Sequence, residues 1–188
     1  MNFEEFFKRS ISALNESGVN YVIVGGVLVS IYGEPRATKD IDVIVDLAPE
    51  DTELINRFLG AMRKYELDVV GGLETIRDAL AEKIHFTVFN KSYLYWMDVQ
   101  GIYSILDQIV FKTRKRMKIF GLDTWVECLE ALIVAKLSIY YSDQSVKDVK
   151  SMVELNRDVI DRELLYSIAD KIGVRRRVEN ILKELGLS

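Results

Sequence analysis

Along residues 2–16, Phe3, Phe6, Phe7, Ile11 and Leu14 recur at three- and four-residue spacing, which predicts an amphipathic helix. Asn2 is placed to cap it, Glu4 and Glu5 suit its positive end, and Gly18 is placed to stop it. The pattern then changes. Tyr21–Val24 is a short apolar run with the β-branched content of a buried strand, broken by Gly25-Gly26. Val27–Tyr32 predicts a short apolar helix ending near Gly33, residues 34–38 a polar loop, and Lys39–Asp46 a second strand. Helical spacing returns over 49–65, with Leu54, Ile55, Phe58, Leu59 and Met62 inward. A short strand over 67–70 and a helix over 73–82 follow. Two β-like runs, 84–89 and 93–99, are joined by Asn90-Lys91-Ser92 as a hairpin loop. Residues 104–113 read as helical, and 117–120 and 124–126 as short strands around Gly121. From Glu127 on there is no proline, the only glycines are Gly173 and Gly186, and periodicity predicts helices near 128–141, 145–156, 161–171 and 174–185. The expected organisation is an α/β domain over about 1–126 and a helical region over 127–188 packed on it.

Composition narrows the functional classes. A chain of 188 residues, 49% hydrophobic and 29% charged, suits one globular unit with a helical extension. The net charge of −4 gives no global basic field to recruit nucleic acid, although a local basic patch could still do so. Cys128 is the only cysteine, so neither an intrachain disulfide nor a cysteine-based zinc site is expected; its apolar surroundings read as a buried, inert thiol. The N-terminus lacks the basic and apolar regions of a signal peptide, and no apolar run reaches membrane-spanning length, so no membrane association is expected and the expected location is the cytoplasm. Arg175-Arg176-Arg177 reads as a solvated face, and His85, the only histidine, as a satisfied strand residue.

The residues with chemical potential are carboxylates. Strand side chains alternate, so Asp40 and Asp42 share a face while Ile41 and Val43 point to the core. Two acids side by side repel unless something positive lies between them, and a divalent cation with oxygen ligands answers that need. Asp98, inside the apolar stretch Tyr95-Trp96-Met97-Asp98-Val99, must be solvated or paired. Asp46 shares the face of Asp40 and Asp42, but as the strand's last residue it suits a cap or turn. Trp96 shares the face of Asp98 and is placed to line the pocket and stack on a base; for Tyr93 and Tyr95 core packing is an equally good reading.

Val24-Gly25-Gly26, Gly33 and Arg36-x-Thr38-x-Asp40-Ile41-Asp42, flanked by strands, resemble the nucleotidyltransferase superfamily with its DNA polymerase β-like fold. Within it the stretch looks most like the small prokaryotic branch of minimal nucleotidyltransferases and abortive-infection toxin-like nucleotidyltransferases. The resemblance implies a mixed-sheet nucleotidyltransferase fold, with Asp40, Asp42 and Asp98 at one end of the sheet and a C-terminal helical region. It implies that Asp40 and Asp42 hold metal, Mg²⁺ or Mn²⁺, and that Asp98 binds the catalytic metal and takes the acceptor proton. The amides of Gly25 and Gly26, with the helix start at Val27, would face the β- and γ-phosphates, and Arg36 and Thr38 would add phosphate contacts. Residues 126–137 resemble that branch's helix ending in a lysine, here Lys136, and Lys147-Asp148 resembles the pair that opens its next helix. Lys136 is then either a snorkelling core-edge lysine or a triphosphate ligand, with Asp148 its salt-bridge partner. The further acid that the branch often carries three residues later is Ser151 here. The implied activity is transfer of a nucleoside monophosphate from a nucleoside triphosphate to a hydroxyl on tRNA, a protein or a small molecule, releasing pyrophosphate. Two alternatives stand beside it: a toxin–antitoxin component acting through a helical partner protein, and a catalytically silent RNA-binding module, against which the net acidity counts.

Overall fold

The computed structural model describes residues 1–91, 94–139 and 141–187. Helix α1 (Phe3–Ser17) begins where Asn2 accepts the Glu5 N–H at 2.8 Å and ends at Gly18, as its end signals predict. Strand β1 (Asn20–Val24) leads through Gly25 into α2 (Gly26–Tyr32), and β2 (Asp40–Asp46) follows the polar loop. Helix α3 (Thr52–Lys64) is capped by Asp51, then come β3 (Leu67–Val69), α4 (Gly72–Glu82), β4 (Phe86–Asn90) and β5 (Trp96–Gln100). The β5 strand is shorter than the run predicted over 93–99, and Tyr93 lies outside the described residues. Helix α5 (Ile105–Thr113) opens with a capping box between Ser104 and Asp107. Strands β6 (Lys115–Ile119) and β7 (Leu122–Val126) are longer than predicted, because the outward residues of β6 are lysine and arginine and the turn is tight at Phe120-Gly121. Helices α6 (Leu129–Ser138), α7 (Asp143–Leu155), α8 (Arg162–Ile172) and α9 (Arg175–Glu184) complete the chain, so no strand follows Val126 among the described residues.

The seven strands form one open sheet in the order β3-β4-β5-β2-β1-β7-β6. It is mixed: β2 and β5 are parallel, as are β1 and β7, and the other pairs are antiparallel. One face carries Val43, Phe86 and Val99 and is covered from the α1–α3 side, where the Phe58 ring meets Phe86 edge-on at 5.8 Å. The other carries Asp42, Ile44, Asp98 and Gln100 and is roofed by α5 and α6, whose Leu106, Val110, Leu132 and Ala135 line the space above it. Helices α7, α8 and α9 pack around α6. No helix among the described residues is long and apolar enough to cross a membrane.

Candidate active site

The antiparallel register of β1 and β2 sets Val24 opposite Asp42, so the chain leaves β1 directly beside the acids. Gly25 has φ 74°, and a Cβ there would lie 2.2 Å from Asp42 Oδ2, so both conformation and space require glycine. The parallel register of β2 and β5 sets Asp42 opposite Asp98, and the pleat puts Asp40 on the same face. Asp40, Asp42 and Asp98 each offer an oxygen within 4.8 Å of the others. Each end of the cluster is anchored. The Thr38 hydroxyl donates to Asp40 Oδ1, Thr87 Oγ1 donates to Asp98 Oδ1 at 2.6 Å, and the Trp96 indole N–H donates to Asp98 Oδ2 at 3.1 Å. Asp46 lies at the far end of β2, exposed and opposite Asn20, away from this cluster.

Burial and repulsion by Asp40 and Asp98 push the Asp42 carboxyl up to about 6, against the pull of the Gly26 N–H and of Lys136. Three oxygen donors that repel one another at this separation fit a hard divalent cation, Mg²⁺ or Mn²⁺, better than any soft or cysteine-seeking metal.

Two cations converge next to the acids. Lys136 Nζ on α6 lies 3.3 Å from Asp148 Oδ2 on α7, and Arg36 Nη2 lies 3.8 Å from the same oxygen. Asp148, only 5% exposed, also accepts Gln144 Nε2 at 2.7 Å. Lys136 is thus paired with Asp148 and also lines the cavity beside the acids. The Arg36 guanidinium and the Thr38 hydroxyl both face Gly26, 3.4 Å from where its Cβ would stand. The hydroxyl of Thr38, expected to face phosphate, donates to Asp40. Trp96 shares the face of Asp98, as the pleat predicts, and binds its carboxylate. Ser151 Oγ accepts the Glu34 N–H at 2.7 Å and ties the 34–37 loop to α7; Gly33 makes that approach possible, since a Cβ there would meet Met152 and Ser151 at 3.0 Å.

A cavity of about 460 Å³ runs from the acids past Gly25-Gly26 and Lys136 to Gln100 and Asp107, a volume that suits a small-molecule site. Asp107 in its wall is committed to the α5 cap. Two further wall residues stand out, one read differently from the sequence and one not singled out by it. His85 precedes β4, is exposed and lines the cavity, so it is not the satisfied strand histidine expected. Glu127, between β7 and α6, has no periodic pattern to single it out. Its side chain is 1% exposed and its Oε1 has no hydrogen-bond partner among the described residues. Burial, with Asp107 and Asp42 nearby, pushes its carboxyl up to about 8, against the pull of the Gly25 N–H and of Lys136. The one signal in the sequence is an acid set directly between a buried strand and an apolar helix start. Cys128 is buried, with its thiol against Thr113 Oγ1 and its pKa raised by burial, consistent with an inert residue. In the Arg175–Arg177 run, Arg175 pairs with Asp170 and Glu179, and Arg177 donates to the Leu137 carbonyl.

No protein-family model and no curated protein matches this sequence. Solved structures do. A nucleotidyltransferase-like antigenic protein from Paracoccidioides brasiliensis superposes with a TM-score of 0.54 at 17% identity, over 96% of this chain and 92% of its own. The antibiotic-resistance factor ANT(2'')-Ia superposes with a TM-score of 0.57 at 12% identity, over 97% and 94%. The lincosamide antibiotic adenylyltransferase LnuA, bound to lincomycin, gives 0.52 at 11% identity, over 82% and 98%. With its strand order, its glycine turn and its paired aspartates, this chain has the nucleotidyltransferase fold.

Proposed function

We propose that this protein is a metal-dependent nucleotidyltransferase that moves a nucleoside monophosphate from a nucleoside triphosphate to a hydroxyl and releases pyrophosphate. The observation that carries the reading is the convergence of Asp40, Asp42 and Asp98 within 4.8 Å, on the lip of the Gly25-Gly26 turn. Such a cluster of like charges is costly unless it serves cations. Asp40 and Asp42 would hold the nucleotide-bound metal, and Asp98 would complete the site. A pair of Mg²⁺ ions would supply Lewis acidity and charge neutralisation at the α-phosphate. Asp98, fixed by Thr87 and Trp96, is the residue to take the acceptor proton as the hydroxyl oxygen bonds to the α-phosphorus and the bond to the β-phosphate breaks. Arg36, Lys136 and the Gly26 side of the turn would meet the departing pyrophosphate. Asp148 holds the two cations in place and lowers their combined charge. The helices after Val126 would then complete, through Lys136 and Asp148, a site built mainly on residues 1–126.

Neighbours of the same fold support this chemistry: one is an adenylyltransferase of a lincosamide, and ANT(2'')-Ia has been seen with adenylyl-2''-tobramycin. The test is incubation with each α-labelled triphosphate and Mg²⁺ or Mn²⁺, offering total tRNA, candidate partner proteins and hydroxylated small molecules in turn. Label should pass to one acceptor class and pyrophosphate should appear; no transfer in any combination contradicts the proposal, and co-purification of a helical protein would shift weight to the toxin–antitoxin alternative.

A further inference from the structure

We propose that the outer edge of β6 is a docking surface for an RNA strand. Lys112, Arg114, Lys115, Arg116 and Lys118 put five cations into seven residues with no acid among them, in a chain whose net charge is −4. Strand β6 ends the sheet, so its outer side has no strand partner among the described residues. Lys112, Lys115, Arg116 and Lys118 are exposed. Among the described residues no carboxylate lies within ion-pair distance of Lys112, Arg116 or Lys118, whereas Lys115 reaches the buried Glu130 at 3.9 Å. Asp123 stands across from Lys118 on β7.

Two arginines lie over aromatic rings. The Arg114 guanidinium carbon is 4.3 Å from the centre of the Phe111 ring and 4.9 Å from that of Trp125, with Nη1 donating to the Phe111 carbonyl, and the Arg116 guanidinium carbon is 5.4 Å from the centre of Trp125. A guanidinium stacked on an aromatic ring is pre-organised for phosphate at low entropic cost. Residues 114–118 extend about 14 Å along the strand, enough for several phosphates of one chain. Charged edges also serve to keep foreign strands away, but that duty needs charge of either sign and no stacked arginines.

The position of the edge gives it a use. Lys115 pairs with Val126, and β7 and β1 run in parallel to end beside Gly25, so the Lys115 end of β6 lies at the acid end of the sheet. Three strand spacings, about 14 Å, separate β6 from β2. An RNA held on the edge could bring a hydroxyl to Asp98. This last step rests on the nucleotidyltransferase reading; the docking itself does not.

The test is fluorescence anisotropy without triphosphate, in EDTA, with labelled total tRNA and with a poly(U) strand of about 20 nucleotides. Affinity should fall with salt at a log–log slope of about −3, as for four neutralised phosphates. The charge reversal K112E/R116E/K118E should weaken binding at least about 30-fold, while R176E, on the exposed face of α9, should bind like wild type. If the reversal lowers the melting temperature, K112Q/R116Q/K118Q replaces it with the same expectation. No binding at roughly 50 mM salt, or binding that survives neutralisation, overturns the proposal. So does a poly-glutamate peptide that competes as well as RNA, which would assign the edge to an acidic protein. Asp42→Asn should bind RNA like wild type. RNA docking in a wild type that transfers no nucleotide would leave this inference standing and remove the activity.

Discussion

On the proposed reading the acids divide their labour at the level of single residues. Asp98 is fixed by two donors and would take the acceptor proton, whereas Asp40 and Asp42, next to the Gly25 turn, would serve the phosphate side. Asp98→Asn should therefore abolish transfer yet keep most triphosphate binding, and Asp40→Asn should weaken both. Calorimetric binding together with labelled transfer separates the two; equal loss of binding in both variants contradicts the assignment. Glu127 makes a pH prediction. Its carboxyl titrates at about 8 in the fold against an ordinary 4.5, so the folded protein holds this proton more tightly than the unfolded chain. The associated stability is complete below about pH 4.5 and is lost as pH rises through 8. Glu127→Gln cannot ionise, so its melting temperature relative to wild type should climb from about pH 5 to about pH 8.5 and then level off. A difference that does not change with pH would mean that Glu127 is paired in a way its surroundings do not suggest.

At the level of elements, the site depends on two strand registers and one turn. Gly25 carries both a positive φ and the 2.2 Å approach to Asp42, so Gly25→Ala should destabilise the protein by on the order of 2 kcal/mol or more and blunt its response to Mn²⁺. Thermal melts with and without Mn²⁺ check this, and an alanine variant that melts and responds like wild type would show the turn to be malleable. Much of this architecture was legible one residue at a time. The glycine turn, the alternation Asp40-Ile41-Asp42 and the cap at Asn2 are local signals, and the structure reproduces them. Pairings across the sheet were not legible in that way. Asp98 stood out only as an acid in an apolar strand; that it lies opposite Asp42 follows from the parallel register of β2 and β5. The apolar pattern predicts strand β6 too short because its solvent side is lysine and arginine, which erases the alternation. Glu127 gives only a faint sequence signal because its environment is assembled from the Gly25 turn, β2, α5 and α6 together. The double role of Lys136, cavity wall and partner of Asp148, depends on how α6 meets α7.

On the scale of the whole molecule, ligands act through mass action on the folded state. A triphosphate with Mg²⁺ should raise the melting temperature, with about 2.7 kcal/mol gained at a hundredfold excess over Kd; the absence of any shift at millimolar triphosphate would count heavily against an active enzyme. The most direct measurement concerns the acids themselves. At about 5 Å and an effective dielectric near 20, each like-charged pair costs on the order of 3 kcal/mol, less where solvent screens it. Cations reverse that sign. Asp42→Asn should therefore melt above wild type in EDTA and should lose most of the stabilisation that Mn²⁺ gives to wild type. Thermal melts of the two proteins, each with EDTA and with Mn²⁺, decide the matter. A variant that melts below wild type in EDTA and gains as much from Mn²⁺ would remove Asp42 from any metal site and contradict the account.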